Sequence, residues 1–479
     1  MTALWTASDV LMATGGSSHG PADWIASGVS IDTRTLKPGD LFVALQGPNH
    51  DGHDHLSAAA AGKAAAAIVA NPVAEETVGL PQVRVADTQR ALESLATHSR
   101  ARMAGRVIGL TGSVGKTGTK EMLSRALGGQ GLTYATEGNL NNHIGAPLSL
   151  ARMARQTSFG VFELGMNHPD EIRPLTKLVR PHVAIITRIA PAHTAFFDSL
   201  DGIAAAKAEI FEGLEPGATA VINADDGYTA FMSDEAAKHG AETILTFGEA
   251  EAADVRLISA SVSVNGTAVE AMFLGERLTY RVGATGKHWA MNSLAVLAAL
   301  SAAGAQLDPA LAALAEVRAP KGRGAAVALH LPVGSFTLID ESYNASPAAV
   351  RAAFAVLQAH TPAQSGRRIA VLGDMLELGA QAGAEHAALG RNLAALDVAH
   401  VFAVGPEARA LFDALRPDQR AGWYPDSAAA AQPVADALTA GDVVLVKGSL
   451  GIRMSAIIER LRALGPLDTG ACPGEDHAV

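Results

Sequence analysis

The stretch GLTGSVGKTGTKEML, Gly109 to Leu123, sets a lysine and a threonine directly behind a glycine-rich turn. That grouping suits a nucleoside triphosphate. Glycines let backbone N–H groups approach phosphate oxygens, Lys116 bridges the terminal phosphates, and the Thr117 hydroxyl is a ligand for Mg²⁺. The full phosphate-loop pattern G-x-x-x-x-G-K-[ST] fails by one residue, because Leu110 stands where its first glycine belongs. Thr111, Gly112, Ser113, Val114 and Gly115 complete the candidate loop. A glycine turn that merely caps a helix is the plainer alternative. The context disfavours it, since RVIGLTG reads as an apolar strand before the loop and KTGTKEMLSRAL as a helix after it.

Three more residues have types that fit a phosphate and metal centre. The apolar run FGVFELG ends in Glu163, where a nucleotidase more often has Asp, and either carboxylate suits a hard cation. HVAIITRIAPAHTAFF ends near His193, and Lys207 follows in IAAAKAEIF. Taken singly, each has an ordinary reading as a strand-end carboxylate, a structural histidine or a solvated lysine.

These residues need a scaffold, and the chain supplies one of α/β type. Its 479 residues are enough for two to four domains, and 48% hydrophobic with 18% charged residues describes a globular protein. A net charge of −11 argues against nucleic acid as a partner while allowing local basic pockets. The single cysteine, Cys472, excludes an internal disulfide framework or cysteine metal site. The N-terminus lacks the pattern of a signal peptide. The uncharged stretch 289–307 is interrupted by Asn292, Ser293, Ser301, Gly304 and Gln306, which makes it a buried helix rather than a membrane span. A cytoplasmic protein without membrane insertion is expected.

Strand-like and helix-like stretches alternate, which predicts largely parallel sheets. GVSIDTRTLKPGDLFVAL offers two short strands around a Lys-Pro-Gly-Asp turn, and LSAAAAGKAAAAIVA a helix running into a strand. VRAPKGRGAAVAL, Val317 to Leu329, breaks the pattern as a linker would, and TLIDESY, RIAVLGD, VFAVG and DVVLVKGS then recur at βα spacing. The expected organisation is residues 1–100, a central nucleotide-binding domain 101–322, a Rossmann-like domain 323–466 and a disordered tail 467–479.

TGSVGKT with Glu163, His193 and Lys207 resembles the Mur ligase family, in which the short form of the loop is characteristic. The stretches SIDTRTLKPGDLFVALQGPNHDGHDHLSAAAAGKAAAAIV, GNLNNHIGAPLSL, LIDESYNASPAAVRAA, AVLGDMLELG and DVVLVKGSLGIRM extend the resemblance from about Ser30 to Met454. They are most similar to the family's last-acting type. The resemblance implies three domains and ATP-dependent joining of D-alanyl-D-alanine to UDP-N-acetylmuramoyl-tripeptide through an acyl phosphate, in peptidoglycan synthesis. It also implies ATP, two Mg²⁺ ions and a monomer. Two residues depart from the usual pattern: His143, where relatives often have an acidic residue, and Leu450, where a polar or basic one is frequent.

Roles follow residue by residue from the resemblance. Lys116, Glu163, His193, Lys207 and Arg323 are the expected catalytic set. Thr117 and Glu163 would hold one Mg²⁺, and Glu163, His193 and Lys207 a second. An ammonium has no lone pair to give, so Lys207 is expected to be carbamylated. His288 and Asn292, four apart on one helical face, would meet the adenosine. Arg323 would reach the γ-phosphate on domain closure, Asp340 the ribose, and Tyr343 would stack on adenine. Ser30, Asp32, Arg34, Gln46, Asp51, Gly52 and His53 would face the UDP end of the precursor, with Arg34 suited to its diphosphate. Asn139, Asn141 and Asn142 would face the muramoyl-peptide, and Lys447, Ser449 and Arg453 the acceptor. The nearest alternative is a folylpolyglutamate-synthase-like amide ligase, against which the N-terminal SIDTRT module speaks. A non-catalytic nucleotide switch is the alternative of another class. Whether the tripeptide ends in diaminopimelate or lysine is not encoded in any motif.

Overall fold

The computed structural model describes residues 3–72, 79–191, 196–197, 199–363 and 365–465. Three main sheets follow one another along the chain. The first has the order Ser17–His19, Gln82–Arg84, Ala66–Val69, Asp40–Val43, Gly28–Ser30, parallel except for Ser17–His19. Gly28 is opposite Asp40 in a parallel register, so the Lys-Pro-Gly-Asp turn ends a crossover and does not close a hairpin. Gly39, at φ +88°, makes that turn, and the Asp40 carboxylate accepts from the Lys37 N–H at 2.9 Å.

The central sheet has nine strands. Six run parallel in the order Thr243–Gly248, Thr219–Asn223, Val183–Ile186, Arg106–Thr111, Phe159–Glu163, Thr133–Ala135. Side chains alternate between two buried layers, as the pleat requires. Ile108, Leu110, Val161 and Ile185 join Met122, Leu123 and Leu294 on one face; Val107, Phe162 and Ile186 join Leu150 and Ile203 on the other. Each such aliphatic burial contributes about 1.5–3 kcal/mol. The helix Lys287–Ala302, uncharged from Trp289 onward, is buried against the first face, as the composition of that stretch predicts. From the strand Arg106–Thr111 the chain builds outward first to one side and then to the other. This leaves a crevice at the strands' C-terminal ends, the usual ligand position in open α/β sheets.

Three strands, Val255–Ser263, Gly266–Phe273 and Glu276–Val282, extend this sheet; they are antiparallel to one another, and the first pairs in parallel with Thr243–Gly248. The alternation in TAVEAMF and RLTYRV, with Asn-Gly and Leu-Gly at the turns, is their signal in the sequence. The third sheet has the order Ala325–His330, Ser335–Glu341, Val443–Lys447, Arg368–Gly373, His400–Val404, Arg420–Tyr424, with only its first strand antiparallel. The expected linker is therefore shorter than its composition suggests. Its final residues, from Ala325, form this edge strand because Leu329 is buried there.

The first unit is bolted to the second. Trp5 Nε1 donates to Ala151 O at 2.8 Å, Arg152 Nε to Val29 O at 2.7 Å and Arg102 Nη2 to Leu4 O at 2.9 Å. Leu148 and Ala151 belong to the first unit's apolar core. Among the described residues no helix is long and apolar enough to cross a membrane, and the expected tail 467–479 lies outside them.

Candidate functional site

Two glycines give the phosphate loop its shape. A Cβ on Gly112, at φ +149°, would lie 1.9 Å from Thr187 Oγ1, and one on Gly115, at φ +90°, would lie 2.8 Å from Asn292 Oδ1. Gly115 also begins the helix Lys116–Gly128, whose free N–H groups point at the crevice. Thr187 Oγ1 donates to Val114 O at 2.6 Å, the Ser113 N–H to Arg188 O at 2.7 Å, and the Ala190 N–H to Ser113 Oγ at 3.1 Å. That second segment is held from behind: Asn223 Nδ2 donates to Thr187 O at 2.9 Å, and Asp226 accepts the Ile189 N–H at 2.5 Å.

Lys116 folds back over the loop, donating from Nζ to Gly112 O at 2.6 Å. Burial lowers its pKa, with Glu163 opposing that shift and Arg323 adding to it, so both charges lie within electrostatic reach of the ammonium. Thr117 Oγ1 donates to Glu163 Oε2 at 3.0 Å, and Asn141 Nδ2 to Glu163 Oε1, also at 3.0 Å. The Glu163 backbone N–H bonds Thr136 Oγ1 at 3.3 Å. Lys207 is 2% exposed, and burial, then repulsion from Lys116, pushes its pKa well below the lysine range. A neutral amine is the form that reacts with CO₂. His193 lies outside the described residues.

The asparagine loop divides its labour. Asn141 joins Glu163, Asn142 Oδ1 caps the helix Gly145–Arg152 by accepting the Gly145 N–H at 2.9 Å, and Asn139 is exposed. Buried Lys120 fixes this loop by donating to Thr136 O at 2.7 Å.

The third unit brings its own residues to the crevice. The Arg323 guanidinium stacks on the Tyr343 ring, with Cζ 4.1 Å from the centroid. Asp340 is buried and accepts from Ser342 Oγ at 2.6 Å, with Arg462 3.7 Å away. Lys447 is not open to an acceptor molecule. Its buried ammonium donates to Glu341 Oε2 and to Asn344 O, both at 3.0 Å. His288 lies near this pair: burial lowers its pKa, partly offset by Glu341. Asn292, one helical turn on, touches the phosphate loop instead. Ser449 Oγ accepts the Leu376 N–H at 2.9 Å, and Arg453 is exposed at φ +55°.

In the first unit, Arg34 is 87% exposed and forks onto Asp32, with Nη2–Oδ2 at 2.6 Å. Those hydrogen bonds bring the Asp32 carboxyl down to about 2. Ser30 is buried under the same turn, its Oγ donating to Asp32 O at 3.0 Å. Gln46 pairs with Asp51 in an isolated bridge. His53 is structural: Nε2 accepts the Ala70 N–H at 2.9 Å, so Nδ1 carries the proton donated to Asp51 at 2.6 Å. Gly52 passes so close to Ala44 that a Cβ would lie 2.8 Å from its backbone.

Sequence reasoning missed Thr136, Thr187, Asn223, Asp226 and Lys120. Four of these had a usable signal, being polar residues at or just past the C-terminal end of an apolar strand beside the topological switch. Lys120 had none, since a helical lysine usually reads as solvated.

Three family models match: Mur ligase family, catalytic domain, at residues 26–100; Mur ligase middle domain at 110–300; and Mur ligase, glutamate ligase domain, at 329–450. The UDP-N-acetylmuramoyl-tripeptide–D-alanyl-D-alanine ligase of Escherichia coli (strain K12) is 36% identical, over 93% of this chain and 95% of that protein. Among solved structures, MurF from Acinetobacter baumannii superposes with a TM-score of 0.83 at 32% identity, covering 96% of this chain and 99% of that one. MurF ligase from Thermotoga maritima in complex with ADP has a TM-score of 0.76 at 27% identity, covering 91% and 97%.

Proposed function

The chain belongs to the Mur ligase family, and from that premise we propose that it is an ATP-dependent ligase joining D-alanyl-D-alanine to UDP-N-acetylmuramoyl-tripeptide in peptidoglycan precursor synthesis. The observation that carries the reading is the phosphate-loop centre, in which Lys116 Nζ lies on Gly112 O at 2.6 Å and Thr117 Oγ1 on Glu163 Oε2 at 3.0 Å, within a chain 36% identical to a ligase of this kind over 93% of its length. The N-terminal match at residues 26–100 favours it over the folylpolyglutamate-synthase-like alternative. In this reading residues 1–100 take the UDP precursor, 101–322 take ATP and 323–466 complete the site. The chain acts as a cytoplasmic monomer.

Joining a carboxylate to an amine in water is uphill, so the carboxylate must be activated. The tripeptide carboxylate attacks the γ-phosphorus, the bond to ADP breaks, and an acyl phosphate forms. The dipeptide amine then attacks the acyl carbon, loses a proton and expels phosphate. Both the attacking carboxylate and the triphosphate are anions. Lys116 and Arg323 offset their repulsion and stabilise charge on the transferring phosphoryl. The loop's backbone N–H groups orient the phosphates. Thr117 and Glu163 are hard oxygen donors 3.0 Å apart that would hold one Mg²⁺, and Glu163, His193 and a carbamylated Lys207 would hold a second; such ions would supply charge that screens the phosphates. The carbamate forms when the neutral Lys207 amine adds to CO₂ and releases a proton. Asn141 orients the Glu163 carboxylate by donating to its Oε1.

The test is phosphate release from ATP with UDP-muramoyl-tripeptides ending in diaminopimelate or in lysine. Release that requires both a tripeptide and D-alanyl-D-alanine is expected. Release indifferent to D-alanyl-D-alanine would refute the assignment.

A further inference from the structure

Two expectations for the third unit compete for the same space. The family resemblance puts Tyr343 under the adenine ring and Arg323 on the γ-phosphate, yet the guanidinium lies on the ring, with Cζ 4.1 Å from its centroid. The backbone builds this contact. The Tyr343 N–H donates to Gly322 O at 3.0 Å and the Gly324 N–H to Asp340 O at 2.8 Å, so the two bonds bracket Arg323. Gly322, at φ +77°, runs so close that a Cβ would lie 3.1 Å from the Tyr343 Cβ. Arg323 is therefore attached to the third unit and moves with it.

Among the described residues, Arg323 has no carboxylate partner, and its charge is felt at Lys116. This matters for a group meant to meet phosphate. A carboxylate would orient the guanidinium but discharge it, whereas an aromatic face orients a cation and leaves its charge available. The Tyr343 hydroxyl has no hydrogen bond among the described residues, so the ring face is the part in use.

We propose that Tyr343 is a positioning residue that seats the Arg323 guanidinium for the transferring phosphoryl group and is not the platform for adenine. The proposal rests on the ligase reading above. It separates the nucleotide base from the catalytic cation: Tyr343 acts on turnover through Arg323, and base recognition falls to other residues.

The test uses the full chain with ATP or GTP, UDP-N-acetylmuramoyl-tripeptide and D-alanyl-D-alanine, comparing Tyr343→Phe, Tyr343→Leu, Arg323→Ala and the double variant Arg323→Ala/Tyr343→Leu. Tyr343→Leu is expected to lower kcat about tenfold or more, while KM for ATP and the ATP-to-GTP preference change less than about threefold. Tyr343→Phe, which keeps the ring face, is expected to restore kcat to within about threefold of the parent. The double variant is expected to be no slower than Arg323→Ala alone, because the ring has nothing left to seat. A Tyr343→Leu chain that keeps kcat but loses ATP affinity or base preference overturns the proposal in favour of adenine stacking. So does a double variant whose losses multiply in full. Failure of the ligase reading looks different, since the parent chain itself would then release phosphate without regard to D-alanyl-D-alanine.

Discussion

Lys207 poses the sharpest chemical demand of any residue here, because a buried amine is asked to become an oxygen ligand. Its environment lowers the cost of that change: burial and the neighbouring Lys116 both disfavour the ammonium. Lys207→Ala is expected to lose most activity and regain part of it in acetate, whose oxygens replace those of the carbamate. Lys207→Arg stays cationic and is expected to be as inactive as alanine; full turnover by the arginine variant would exclude the carbamate. The same burial has a pH signature in CO₂-free buffer without Mg²⁺. Folded, Lys207 sheds its proton well below the ordinary value of 10.5, whereas the unfolded chain keeps it up to that value. The unfolded state thus binds more protons throughout the interval, and the lysine's destabilising contribution shrinks as pH rises. Lys207→Met is accordingly expected to be more stable than the parent in urea at pH 7, with the gain falling away towards pH 10. A gain that is flat across that range would place an ordinary ammonium there.

At the scale of elements, the phosphate loop is defined as much by what lies behind it as by its own residues. Gly115→Ala puts a Cβ 2.8 Å from Asn292 Oδ1 at a positive φ. The expected cost is about 1–3 kcal/mol of stability, with a marked loss of ATP affinity by calorimetry. Gly128, at the other end of the same helix, has nothing within 4 Å of the methyl that alanine would add, and Gly128→Ala is the control that keeps both. Equal effects of the two substitutions would show that helix propensity, and not loop geometry, is being measured. Lys116 and Thr117 were legible in the sequence because a phosphate loop is contiguous. So was Glu163, which ends an apolar strand. Asn141 was legible as a loop asparagine but not as the partner of Glu163, since a turn fixed by buried Lys120 brings the two together. Lys447 misled for a related reason. The resemblance suggested a lysine facing the acceptor, and no feature of the sequence announces that Glu341 on the adjacent strand neutralises it.

In the whole molecule, the α/β alternation foretold largely parallel sheets, while the antiparallel extension at 255–282 escaped notice because its long strands alternate with exposed polar residues and show no continuous apolar run. The docking of the first unit was equally invisible. Trp5, Arg102 and Arg152 are far apart in sequence and show no motif, yet they pin that unit to the second. Cutting the chain at residue 100 would strip apolar cover from Leu148 and Ala151, so a surface substitution is the cleaner probe of precursor binding. Arg34→Ala is expected to weaken the UDP precursor about tenfold or more by calorimetry and to leave ATP affinity within about twofold. Parallel loss of both affinities would point to a shared structural defect.

The Lys447–Glu341 pair also bears on how the three substrates respond to ionic strength. ATP and the UDP precursor carry net negative charge and are expected to meet cations that solvent or substrate can reach, Lys116 and Arg323 for the first and, for the second, Arg34, which is 87% exposed although it pairs with Asp32. The dipeptide is a zwitterion, and the lysine on its expected side is already neutralised within the protein. Screening shortens the Debye length from about 10 Å at 0.1 M salt to about 3 Å at 1 M. Across that range KM for ATP and for the precursor is expected to move while KM for D-alanyl-D-alanine stays nearly level. A steep salt dependence for the dipeptide would mean that the pair opens during turnover and frees Lys447 to meet its carboxylate.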